Sequence, residues 1–288
     1  MPDLTTRLST AWREGRDHLG LAVVPALVAL LSVRKIKRVA AFTGAHFGIA
    51  FGLPTPVPSV WTAVSLPTQT PTPVGAPFDP TLLAVLPVAV LVRAVLTAGF
   101  LGSLREIAAS GTYDFTASVR RYVIQFLLYH AVVTLLGTGF VLLAGSGTLA
   151  GGTAVLGIAA VVALFGVVVL SYLFWATPFL LVTREADLLS AFRGSYALAT
   201  AGGPYFAYSA GYLGVVIALS IPTTVVVVNL GLAGIVLGAV AFAPIALMLA
   251  LATLRFIADV DAESVNLGSW EDSPDDGSPD ASPSGADE

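Results

Sequence analysis

The residue most able to do chemistry in this sequence is an arginine inside an apolar run. Arg93 interrupts the stretch Thr81–Leu104. An arginine at a bilayer centre costs about 2.5–3.5 kcal/mol on insertion scales, so it turns toward a bundle interior or a water-filled cavity. His130, Tyr172 and Tyr212 fall near the same depth. Arg93 lies nine residues from Gly102, His130 eight from Tyr122, Tyr172 ten from Val182 and Tyr212 eight from Pro204, at about 1.5 Å per residue. Tyr205, Tyr208 and Tyr212 follow i, i+3, i+7, which puts them on one helix face. A polar intramembrane pocket of Arg93, His130, Tyr172, Tyr208 and Tyr212 supplies the guanidinium with partners. With no acid at hand, the natural counter-charge is an external anion such as a head group. The alternative is that Arg93 snorkels or bonds to carbonyls freed beside Pro87, while the tyrosines merely pack.

Other chemistries are excluded by what is missing. No Gly-x-x-x-x-Gly-Lys-Ser/Thr run cradles nucleotide phosphates, and the two lysines, Lys35 and Lys37, follow the first apolar segment. No His-Glu-x-x-His occurs, and His18, His46 and His130 belong to separate segments, so no metal site is expected. Zero cysteines excludes disulfides, thiolate ligands and thiol nucleophiles. Gly145-Ser146-Gly147 is a turn composition rather than a nucleophile elbow. Within the apolar spans there is no Asp or Glu, which removes most of the weight from proton- or sodium-coupled transport. No catalytic residue and no cofactor is assigned.

The elements that position Arg93 follow from composition. Apolar residues make up 56% of the chain and charged residues 11%, with a mean hydropathy of +0.86, against ~25% charged in soluble domains. That excludes a water-soluble enzyme. With 14 Lys+Arg against 18 Asp+Glu, no basic surplus exists to bind nucleic acid. The net charge of −4 divides unevenly: Asp259–Glu288 holds ten acids and no base, leaving the rest positive. That tail is too polar to order itself, and its carboxylates suit a salt-rich cytoplasm. The domain reading is an amphipathic segment over 1–18, a membrane domain over 19–258 and a disordered acidic tail over 259–288.

About 20 apolar residues cross a bilayer. Tyr122–Thr183 and Gly194–Leu254 contain no charged residue, and each holds a helical pair: Tyr122–Ala144 with Thr153–Val182 around Gly145, Gly147, Gly151 and Gly152, then Pro204–Val228 with Leu232–Phe256. Thr81–Leu104 is a further span. Leu19–Val33 is short, reaching only ~22 Å, yet Asp3, Glu14 and Asp17 before it and Arg34, Lys35, Lys37 and Arg38 after it argue against a signal peptide. The expectation is an all-α transmembrane bundle of six spans in three hairpins, in the cell membrane. Both termini are expected to be cytoplasmic, because nine loop arginines then lie inside and four basic residues, at 34–38, outside. That cluster dissents from the rule.

Between the first two spans, 39–80 carries Pro54, Pro56, Pro58, Pro67, Pro71, Pro73 and Pro77, which forbid a long helix. It reads as a small outer cap of extended pieces, with Trp61 either at the head groups or stapling the cap. Five of the six spans contain a proline: Pro25, Pro87, Pro178, Pro222 and Pro244. Gly234 and Gly238 permit close helix approach, within the bundle or to another subunit. Ser9–Arg13, Ala117–Tyr122 and Ser190–Tyr196 are short basic segments that each precede a hairpin, a weak threefold repeat of interfacial helix plus hairpin.

The run Phe47–Trp61, the turn Ala98–Ser103, Asp114-Phe115 before Arg120-Arg121-Tyr122, and Pro178-Phe179 leading to Ala191–Tyr196 resemble an uncharacterised multi-pass membrane family of halophilic archaea. More distantly, the hairpin pattern is similar to the membrane domain attached to some glycerophosphodiester phosphodiesterases, which is not their catalytic part. The resemblance covers roughly 5–258 and implies architecture without a reaction. Twelve arginines to two lysines agree with a halophile. Three function classes follow: a non-enzymatic membrane-organising or complex-assembly component, a permease or channel for an anionic or amphiphilic solute at Arg93, and, ranked last, an enzyme acting on lipid head groups. The partners expected are the lipid bilayer and a membrane protein or second copy, not nucleic acid or nucleotide.

Overall fold

Long runs of Ala, Val, Leu and Gly without charge close their backbone hydrogen bonds internally, as lipid demands, and the computed structural model is accordingly all-α, without a strand, among its described residues. These are 3–67, 80–150 and 153–267, with side chains described over 3–67, 85–139 and 161–267. The helices are α1 (Leu4–Arg16), α2 (Val23–Leu30), α3 (Val33–Ala40), α4 (Pro80–Ser110), α5 (Phe115–Ala150), α6 (Thr153–Phe174), α7 (Thr177–Thr183), α8 (Leu188–Ala201), α9 (Pro204–Asn229) and α10 (Gly231–Val260). Five are long and apolar enough to cross a membrane, or six if α2 and its preceding turn are joined to α3 across a 63° bend. This is a multi-pass membrane architecture. Most of the acidic tail, Pro71, Pro73 and Pro77, and Gly151-Gly152 lie outside the described residues.

The hub is α10, buried almost continuously from Ala246 to Ile257 and touching α1, α2, α3, α4, α7 and α9. Gly234 and Gly238 serve this packing: a methyl on either would collide with Val226 or Val227 of α9, and at Gly238 also crowd Val60. The amphipathic α1 starts at Asp3, whose carboxylate accepts from Thr6 N–H at 2.8 Å. It lays Arg7, Thr10, Ala11 and Gly15 against the bundle, beside the last turns of α10. We call this the proximal end and the opposite one distal.

Two expected elements differ. Thr153–Val182 is not one rod but α6 and α7, broken at Trp175-Ala176. Pro178 lacks the N–H that would bond Phe174, and the next two donors turn to Ala176 O at 3.0 Å. In the threefold repeat, Ser9–Arg13 and Ser190–Tyr196 sit in separate helices α1 and α8, but Ala117–Tyr122 is the first part of α5 itself. Asp114 caps that helix, accepting from Thr116 and Ala117 N–H at 2.8 and 3.0 Å, so the middle copy has no break.

The larger correction concerns the outer cap. Residues 41–67 do not sit above the bundle but dip into it along α9. His46 N–H donates to Asn229 Oδ1 at 2.8 Å, at the distal end. Ala50 N–H donates to Ser220 Oγ at 2.6 Å, and Gly52 lies against Val216. From Asn229 to Val216 is about 20 Å of helix. The chain then turns through Pro54, Pro56 and Pro58 and climbs back, with Ser65 N–H donating to Thr224 Oγ1 at 2.9 Å. Phe47, Ile49 and Phe51 are exposed, whereas Gly48, Ala50 and Gly52 turn inward, the alternation of an extended strand. Such backbone is tolerated at membrane depth only when buried in protein or lining a wet cavity. Trp61 is buried, and its indole N–H donates to Ala29 O at 2.8 Å, so it anchors this re-entrant segment to α2 rather than to the head groups.

Candidate functional site

The re-entrant tip, α2–α3, α4, α5 and α6 surround one cavity of about 1520 Å³, larger than the roughly 300–1,000 Å³ of ordinary small-molecule sites. Its walls are mainly apolar: Val28 of α2, Leu96 of α4, Val133 of α5, and Val162, Val167 and Leu170 of α6. Phe174, Trp175 and Phe192 line its proximal part. The α6 wall extends from Val162 to Phe174, about 18 Å.

Three basic side chains line this space. Arg93 stands mid-way along α4 and makes no hydrogen bond or ion pair with any described residue. Lys35 of α3 lies over the Trp61 ring, its Nζ 5.9 Å from the centroid. His130 of α5 has its Nε2 3.0 Å from Thr97 Oγ1 and its ring edge-on to Tyr129 at 5.2 Å. The charge of Arg93 reaches Lys35, so two cations face this space, with the His130 ring beside them. No carboxylate lines the cavity among the described residues.

Of the five residues expected to form one pocket, Arg93 and His130 line this cavity and the three tyrosines do not. Tyr208 is buried, its OH 2.9 Å from Thr253 Oγ1 and its ring stacked on Phe256 at 4.0 Å. Tyr212 is buried next to it, 6.4 Å away, with its OH unpartnered. Tyr172 is half-buried, edge-on to Tyr205 at 5.5 Å, and its carbonyl accepts from Tyr205 OH at 3.0 Å. Equal depth did not bring these groups together, because the tyrosine face of α9 turns toward α10 and Trp175, whose ring stacks on Tyr205 at 4.6 Å.

Lys35, Thr97 and the tip were not identified from the sequence. The signal for Lys35 was the basic cluster that broke the sidedness rule. In the structure Lys35 enters the cavity and Arg38 Nε donates to Pro67 O at 2.7 Å.

The proximal end treats charge differently. Arg184 is clasped by Asp261 (2.5 and 2.7 Å) and Glu263 (2.5 Å), and the Asp261 hydrogen bonds push its pKa further up. Arg7 meets Asp259 at 2.6 Å and Arg255 meets Glu14 at 2.7 Å. Glu185 bridges Arg105 and Arg121, held there by a left-handed backbone at φ 52°, a conformation that costs a non-glycine residue about 1 kcal/mol. Burial pushes the Glu14 carboxyl up while Arg255 and Arg13 oppose it.

Comparison with protein-family models, curated proteins and solved structures finds no match for this chain.

Proposed function

We propose that this chain is a non-enzymatic integral membrane protein that accepts an anionic amphiphile into the cavity, with both termini on the cytoplasmic side of the cell membrane. The observation that carries this reading is the convergence of Arg93 and Lys35 in an apolar cavity that no described carboxylate lines. Unbalanced charge at that depth is expensive, and a bound anion relieves it. The apolar wall along α6 then receives the ligand's hydrocarbon. The cytoplasmic placement of the ends is supported by the arginines of the proximal loops.

The experiment is mass spectrometry of lipids retained by the full chain purified in a mild detergent. The expected result is an anionic amphiphile near one per chain, lost on Arg93→Leu. Equal retention of zwitterionic lipid by both proteins overturns the reading. The assembly reading has one observation of its own: Val161, Leu164, Phe165 and Val168 are exposed along one face of α6, as on a helix that takes a partner. Cysteine cross-linking from Leu164 distinguishes the two, since a carrier working alone gives no defined dimer.

A further inference from the structure

We infer that the ligand's head group carries free hydroxyls as well as negative charge; this rests on the amphiphile reading and deepens it. The tip of the re-entrant segment, Leu53–Ser59, contains Pro54, Pro56 and Pro58, and proline has a carbonyl but no N–H. Among the described residues, no carbonyl from Phe47 to Pro58 accepts a hydrogen bond. Those of Gly52, Leu53, Thr55 and Val57 belong to residues that line the cavity. On the ascending leg, Trp61 lies under Lys35, so this acceptor-rich tip and the cationic side chains adjoin.

Gly52, Leu53 and Val57 are half-buried and Thr55 is exposed, so a carbonyl there that has no donor within the protein is open to a ligand's O–H. An anion with only acceptor oxygens answers Arg93 and Lys35 but presents oxygen to oxygen at the tip. A head group bearing hydroxyls donates to the carbonyls while its phosphate or other anion meets the cations. Sites with polar groups placed to pair a ligand hydroxyl reject analogues that lack it. The shared chemistry is a hydroxylated anionic ester, from a lipid head group or from a soluble ester.

The test is thermal stabilisation of the full chain in detergent micelles, titrated with dioleoyl phosphatidylglycerol, phosphatidic acid, phosphatidylcholine or free glycerol phosphate. Phosphatidylglycerol is expected to half-saturate at roughly tenfold lower concentration than phosphatidic acid. Arg93→Gln is expected to weaken both without changing their ratio. Equal potency of the two anionic lipids overturns this inference and leaves the amphiphile reading standing. If neither exceeds phosphatidylcholine, both fall. If millimolar glycerol phosphate displaces phosphatidylglycerol, the hydroxylated head group stands and the lipid source is overturned; failure to displace it supports the lipid.

Discussion

At the proximal end Arg7, Arg105, Arg121, Arg184 and Arg255 each face a carboxylate, whereas Arg93 and Lys35 meet none in the cavity. The same side chain is thus used in two ways. Paired arginines tie α1, α4, α5, α7 and α10 together near the bilayer surface, and removing one partner leaves the other buried and uncompensated. The cavity arginine ties nothing to anything, so its cost is not offset by packing inside the protein. The difference separates charge that holds the fold from charge that awaits a ligand.

The sharpest way to break this comparison is at Asp261. Asp261→Ala strips Arg184 of its best partner and is expected to cost about 3 kcal/mol, read as a loss of unfolding free energy in mixed micelles. The matching change, Arg93→Leu, is expected to leave stability unchanged or raise it by up to about 2.5–3.5 kcal/mol. A large destabilisation there would place Arg93 among the structural arginines. Next in size is the polar ladder that admits the re-entrant segment. Ser220→Ala with Thr224→Val orphans the Ala50 and Ser65 amides, at about 1–2 kcal/mol each. Faster hydrogen exchange at those two amides checks it.

The smallest effect is titration of Glu14. Its folded carboxyl is raised above the ordinary 4.5, so the folded state holds the proton more tightly than the unfolded chain. Stability therefore falls as pH rises from 4.5 through the folded pKa and levels off above it. Glu14→Gln is expected to flatten that slope in a thermal-melt series.

The helical spans were legible because a lipid-facing helix writes its length directly into an uncharged run, as Gly194–Leu254 does. Arg93 and His130 were legible for the same reason, polar groups standing out in such runs. The azimuth of a helix was not: mean depth places Tyr208 and Tyr212 beside Arg93, yet they face α10, and an all-apolar helix carries little periodicity to say which way it turns. The re-entrant segment was missed because its prolines read equally well as surface turns. What admits it, Ser220, Thr224 and Asn229, lies 159 to 183 residues downstream in a helix that looked complete. The break at Pro178 was visible as a proline, but only the neighbours of Trp175 decide whether such a residue bends or severs.

That severance separates a buried stub from an exposed rod. All seven residues of α7 are buried, while α6 over 161–170 is largely exposed. This side of the chamber is held to the bundle at its last turn, where Tyr172 O accepts from Tyr205 OH at 3.0 Å and Leu173 O from Ser195 Oγ at 2.8 Å. A bulky substitution on the exposed face over 161–170 therefore meets little protein, whereas the same change within α7 must be absorbed by the packed core.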